Sequence, residues 1–118
     1  MRTVQKPWGH ELIWAETSAY VGKILFIKKG EQLSLQYHEV KDETIMVLHG
    51  RLNFEHFEAA QEPQVTELGP RVPFHVHPGL RHRMIALEDT EVVEVSTPQL
   101  GDVVRLSDRY GRTGTSAP

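Results

Sequence analysis

Apolar and polar residues alternate along this chain with a period of two, and helical periodicity is almost absent. Strand-like runs occupy residues 23–28, 33–38, 43–48, 51–57, 64–68, 72–76, 82–87 and 91–96, with Gly, Pro, Asp or Asn between most of them. Short strands at this spacing predict an all-β sandwich or barrel. Within 51–57 the alternation points Leu52 and Phe54 inward. Residues 59–63 read as an exposed loop. No internal repeat or linker interrupts the pattern. One domain is therefore expected over residues 1–112, followed by a small, polar, disordered tail at 113–118.

The stretch from Gly30 to Gly50 carries the most chemistry. Gln36 and His38 stand two apart on one predicted strand and so share a face. Residues 39–42 form a loop of ordinary hairpin length, and the chain returns with Glu43 at the mouth of the next strand. An amide oxygen, an imidazole and a carboxylate can then converge at one end of a hairpin, as metal coordination across two adjacent strands requires. Gly30 and Gly50 bracket the unit where the chain must turn. The same parity sends Leu33, Leu35 and Tyr37 to the opposite face. That apolar stripe needs a cover, either the Trp8–Trp14 region or a second subunit, and a homodimer is expected on this ground.

Composition narrows the reading further. A chain of 118 residues can bury a workable core without staples, and it has no cysteine for disulfide or thiol chemistry. A formal net charge of -3 argues against a nucleic-acid binder, which needs basic patches. No apolar run approaches the roughly 20 residues of a membrane helix. The opening residues lack the apolar core of a signal peptide, so a cytoplasmic address is expected. Seven histidines are the one unusual count. His10, His49 and His56 are assigned nothing, and His75 is read as a solvated loop residue.

Gly30, Gln36, His38, Glu43 and Gly50 resemble the first cupin motif, and His77-Pro78-Gly79-Leu80-Arg81-His82 resembles the second. His77 takes the usual proline position, and Ala86 stands where asparagine is common. The resemblance narrows with Lys6-Pro7-Trp8-Gly9, Lys23, Ser34-Leu35-Gln36, Glu94-Val95 and Asp102-Val103-Val104-Arg105 through Asp108-Arg109-Tyr110-Gly111-Arg112. In that order they resemble the C-terminal cupin domain of type II mannose-6-phosphate isomerases, over residues 6–112. Lys41 and Thr44 depart from that family's arginine and aromatic residue. No Gly-rich nucleotide loop is present, so sugar-nucleotide synthesis is not expected.

The resemblance implies a cupin jelly roll with a divalent metal held by Gln36, His38, Glu43 and His82. Two imidazoles and a carboxylate suit Zn²⁺, and also Mn²⁺, Fe²⁺, Co²⁺ or Ni²⁺. It further implies aldose–ketose isomerisation of a sugar phosphate through an enediolate. Lys23 and His77 are the candidate bases, and Arg81 is the candidate phosphate contact, with Arg83 and Arg112 behind it. Two alternatives stay open, a non-catalytic carbohydrate-binding or regulatory cupin and a metal-dependent dioxygenase-type cupin.

Overall fold

The computed structural model of the protein describes residues 1–58, 62–112 and the backbone of 114–115. Among these there are twelve strands and no helix. They are β1 (Arg2–Lys6), β2 (Gly9–Glu16), β3 (Val21–Ile27), β4 (Leu35–Tyr37), β5 (Glu43–His49), β6 (Leu52–Phe57), β7 (Gln64–Leu68), β8 (Pro73–Val76), β9 (Arg81–Ala86), β10 (Thr90–Ser96), β11 (Val104–Ser107) and β12 (Gly114–Thr115). One sheet runs β1-β2-β3-β10-β5-β8 and the other β12-β11-β4-β9-β6-β7, with all strand pairs antiparallel. We call them the first and second sheets. This is the two-sheeted jelly roll expected from the sequence.

The alternation read from the sequence is what joins the sheets. Leu25 and Ile27 of β3, Ile45 and Val47 of β5, and Val92 of β10 are buried against Leu52 and Phe54 of β6 and Met84 of β9. Removing apolar area of this kind from water is the main favourable term in forming such a core. Trp8, in the turn between β1 and β2, is buried in the same cluster. Gly30 and Gly50 do have positive φ, 82° and 90°, as the bracketing turns require. At Gly50 a Cβ would also meet the Asp89 carbonyl oxygen at 2.5 Å.

Several expectations need correction. Strand β4 begins at Leu35, not at residue 33, because residues 33–34 are irregular. The Leu33 amide donates to the Met84 carbonyl, and its side chain is buried in the core. The outward stripe thus shrinks to Leu35 and Tyr37, both half-buried. Trp14 does not cover it, since it belongs to the first sheet and lies against Gly22 of β3. Strands β1, β2 and β11 were not read as strands. Of the anticipated tail, Gly114–Thr115 pairs with β11. Residues 113 and 116–118 lie outside the described residues, as do 59–61 of the anticipated loop.

The outer faces of the two sheets differ in kind. On the first sheet, Leu12, Ile24, Val93, Met46 and Pro73 are cross-strand partners in one unbroken row over five strands. Trp14 and Val95 beside that row remain 48% and 52% exposed. On the second sheet the outward positions of β6 and β9 include Asn53, Glu55, Arg81 and Arg83, and Arg83 pairs with Glu55 at 2.8 Å. That second face mixes these charged positions with outward Leu35, Tyr37, Phe57, Val65 and Ile85.

Candidate metal centre

Strand pairing, not chain proximity, builds the centre. Gln36 of β4 is the cross-strand partner of His82 of β9, so the two share the inner face of the second sheet. Arg105 of β11 extends that row beyond Gln36, and His56 of β6 extends it beyond His82. Glu43 opens β5 in the facing sheet, and His38 reaches the gap from the loop that joins β4 to β5. His38, Glu43 and His82 are all buried and offer ligand atoms within 4.8 Å of one another. Nε2 of His38 is 3.4 Å from Oε2 of Glu43, and Nε2 of His82 is 4.0 Å from Oε1.

Both imidazoles are oriented from behind. Nδ1 of His38 donates to the Asp102 carbonyl at 2.6 Å, and Nδ1 of His82 donates to the Leu80 carbonyl at 2.9 Å. That arrangement leaves each Nε2 with its lone pair directed at Glu43, and neither Nε2 has a hydrogen-bond partner among the described residues. A buried polar atom without a partner is costly, and a bound cation would supply one for each. Burial lowers the His82 imidazole to about 4, outweighing the neighbouring Glu43 carboxylate, and so favours the neutral form that can ligate. Burial works against the Glu43 charge, but Lys41, His38 and His82 hold its carboxyl well below the usual carboxylate range. The donor set fits a divalent cation and could hold one.

A second ring of buried charge surrounds these three residues. Nζ of Lys41 lies 2.9 Å from Oε2 of Glu43 and 2.9 Å from Oε2 of Glu94, as an ion-pair contact more than a directed hydrogen bond. Burial opposes its charge, yet Glu94 and Glu43 raise it above the ordinary lysine value. Lys23 meets both carboxylate oxygens of Glu11 at 3.2 Å and one of Glu94 at 3.8 Å. Three buried carboxylates (Glu11, Glu43, Glu94) thus face two buried ammoniums (Lys23, Lys41). Buried charge is expensive unless paired, and these five groups pair one with another.

The cavity beside the centre holds about 40 Å³ and is bounded by apolar Trp8, Leu25, Leu33 and Met84. Lys6, Arg105 and Arg112 also line it. Burial lowers Lys6, the Glu11 carboxylate opposes this, and nearby Lys23, Arg105 and Arg112 lower it further. Arg112 is held by Asp108 through contacts of 2.9 and 3.0 Å.

The remaining sequence candidates fall in different places. Gln36 lines the cavity, with its Oε1 accepting from the Ser34 hydroxyl at 2.7 Å. Lys23 lines it as well. His77 is exposed in the turn after β8, with Nδ1 against the Pro78 carbonyl, and does not line the cavity. Arg81 is exposed, and strand parity sends it to the face opposite His82. Sequence reasoning gave no role to Glu11, Glu94, Lys6 or Arg105. The inward parity of Glu94 between buried Val92 and Ser96 was the available signal.

No protein-family model and no curated protein matches the chain. Solved structures do. KdgF from Halomonas sp. superposes with a TM-score of 0.72 at 22% identity, over 84% of this chain and 89% of that one. CapF, a capsular polysaccharide assembling protein from Staphylococcus aureus, gives 0.74 at 16% identity, over 90% of this chain and 34% of that one. Oxalate decarboxylase from Bacillus subtilis gives 0.74 at 15% identity, over 89% of this chain and 30% of that one. The chain thus corresponds to about a third of the length of each of those last two. At such identities the likeness is one of architecture, and the architecture is the double-stranded β-helix of the cupins.

Proposed function

We propose that this chain is a metal-dependent cupin that interconverts aldose and ketose forms of a sugar phosphate, with mannose 6-phosphate the substrate suggested by its sequence resemblance. The observation that carries the reading is the pair of unpartnered Nε2 atoms converging on Glu43 beside a cation-lined cavity. A divalent ion held by His38, Glu43 and His82, with Gln36 as the weaker fourth donor, would supply Lewis acidity toward sugar oxygens. Zn²⁺ suits this set, as do Mn²⁺, Fe²⁺, Co²⁺ and Ni²⁺.

The chain's own groups supply the rest. Lys6, Arg105 and Arg112 attract the phosphate, the guanidiniums through their planar forks. The Lys23–Glu11 pair, 3.2 Å apart, handles the proton moved between C1 and C2. Trp8, Leu25 and Met84 keep water away from the sugar carbons. His77 and Arg81 have no part in this scheme, because both stand outside the cavity.

A second reading rests on the volume. About 40 Å³ does not admit a hexose phosphate unless the Arg112–Asp108 clasp moves. A cavity that stays closed suits a carbohydrate-binding module that takes only part of a sugar. CapF, by its name, ties this architecture to polysaccharide assembly.

Elemental analysis of protein purified without chelator, beside Glu43→Ala, tests the centre. Bound divalent metal in the first and its loss in the second are expected, and equal metal in both removes Glu43 from the ligand set. A coupled assay of mannose 6-phosphate and fructose 6-phosphate then tests the reaction, with His82→Ala expected to abolish turnover. Sugar-phosphate binding by the metal-loaded protein without conversion establishes the second reading instead.

A further inference from the structure

We infer that the outer face of the first sheet carries a second ligand site, a slot for one neutral sugar ring between Phe26 and His49. His10, Phe26, Glu91 and His49 are cross-strand partners in a single row over β2, β3, β10 and β5. Phe26 stands between inward Leu25 and Ile27, so the row faces outward. With Lys28 and Asp89 the row lines a cleft of about 270 Å³. None of these residues lines the metal cavity. Glu43 opens β5 at that centre, and His49 closes the same strand at the cleft.

A β-bulge builds the slot. Ile45 and Val47 point inward, and unbroken alternation would send His49 inward as well. The register of β5 on β10 slips between the pairs Val92–Val47 and Glu91–His49, and His49 is exposed opposite Glu91. Bulges of this kind re-aim a side chain. At the other wall, the His10 and Phe26 rings stack with centroids 4.4 Å apart and planes 16° apart. His10 covers one face of Phe26, and the opposite face turns toward Glu91 and His49. Strand β10 lies between β3 and β5, which puts the Phe26 and His49 backbones two strand spacings, about 9.6 Å, apart. A six-membered ring fits between such walls.

The lining selects the ligand. His10, Lys28, His49 and Glu91 make no side-chain hydrogen bond or ion pair among the described residues. Asp89 commits Oδ1 to the Lys29 amide at 2.8 Å. Two carboxylates against one ammonium suit neither a phosphate nor a nucleic acid. The Lys28 ammonium does not suit an organic cation. A hydroxyl both donates and accepts, so neighbouring sugar hydroxyls can give to Glu91 and Asp89 while taking from Lys28. The slightly positive C–H face of a pyranose complements the negative face of the Phe26 ring. The volume lies just under the roughly 300–1,000 Å³ of sites for larger ligands, as one ring requires.

An amide NMR titration of chelator-treated full-length protein with the methyl α-glycosides of glucose, mannose and galactose tests the site. A methyl glycoside has neither a phosphate nor a free carbonyl form, so its binding does not depend on the isomerase reading. Saturable shifts at the Gly9, Phe26, Lys28 and Glu91 amides are expected for at least one glycoside, with a Kd of about 1 mM. Glu91→Gln and Phe26→Ala should each raise that Kd about tenfold. Arg81→Ala, on the other sheet, should leave it within about twofold. Should Phe26→Ala fail to fold, Glu91→Gln decides alone. No saturable shift up to about 50 mM overturns the proposal. So do shifts confined to residues of the metal cavity, and binding that survives folded Glu91→Gln. Displacement of the glycoside by tetramethylammonium would overturn the choice of ligand and make the slot a cation site.

Discussion

The two faces of the first sheet invert the usual division of labour at the end that carries Lys23, Glu43 and Glu94. On β10, Glu94 points inward between Val93 and Val95, which point outward. On β3, Lys23 is buried and its neighbour Ile24 is only half-buried, and Glu11 and Leu12 of β2 repeat the pattern. Farther along the same strands the order is conventional, with Leu25, Ile27, Val47 and Val92 inside. One set of strands therefore makes a core at one end and a charged chamber at the other. An inverted alternation costs stability on both faces, so it marks places where something other than the folded monomer is served.

The inner face should be the fragile one. Lys41→Met removes the ammonium shared by Glu43 and Glu94, leaving buried Glu43 without an ammonium and Glu94 with only Lys23 at 3.8 Å. A loss of about 3–5 kcal/mol in urea unfolding is expected for the metal-free protein. A loss below about 1 kcal/mol would show that the chamber is wetter than its burial indicates and would flatten the contrast. Added Zn²⁺ or Mn²⁺ should act in the opposite sense. At a hundred times its dissociation constant the ion stabilises the fold by about 2.7 kcal/mol, and Glu43→Ala should lose the thermal shift.

Changes on the outer face should be smaller in the monomer. At Gly22 an added Cβ would lie 2.6 Å from the Trp14 ring. Gly22→Ala should therefore displace that half-exposed ring, shift its fluorescence and destabilise by about 1 kcal/mol. An unchanged spectrum would show that Trp14 does not rest on β3. The smallest effect concerns neither face. Burial opposes the Asp102 charge, but the amides of Lys41, Val40 and Glu39 hold its carboxyl below the usual 3.8. A group lowered by folding contributes fully above its unfolded value, and the contribution is lost as pH falls through the folded value. Wild type should thus exceed Asp102→Asn in stability from pH 7 down to about 5, with the gap closing below about pH 3.8. A gap that persists at pH 2.5 would assign it to geometry instead of charge.

What the sequence disclosed follows from the same contrast. Strands whose inner residues are apolar announce themselves by period two, and the eight anticipated runs all overlap observed strands. Strand β2 went unread because inward Glu11 and outward Leu12 and Trp14 reverse the expected phase. Gln36, His38 and Glu43 were legible from their spacing, but the expected hairpin is not there: β4 and β5 lie in different sheets and do not pair, and His38 stands in the loop between them. His82 came from motif resemblance, since its approach to Glu43 depends on pairing across the second sheet. Lys41, Glu94 and Glu11 meet only after distant strands close, and no local pattern reports that. Arg81 is the instructive case, for a strand cannot direct adjacent side chains to one cavity.

The Asp102 contacts have a consequence for timing. Its carboxylate accepts from the amides of Glu39, Val40 and Lys41 at 2.7 to 3.0 Å, and its carbonyl accepts from His38. The loop that presents His38 is therefore fastened by a residue translated more than 60 positions later. On a ribosome adding about 5–20 residues per second, the loop between β4 and β5 waits seconds for its clasp. An ion offered to the emerging loop would meet an imidazole with no fixed direction. Metal loading would then be a late event, and a chain ending before Asp102 would present His38 without its clasp.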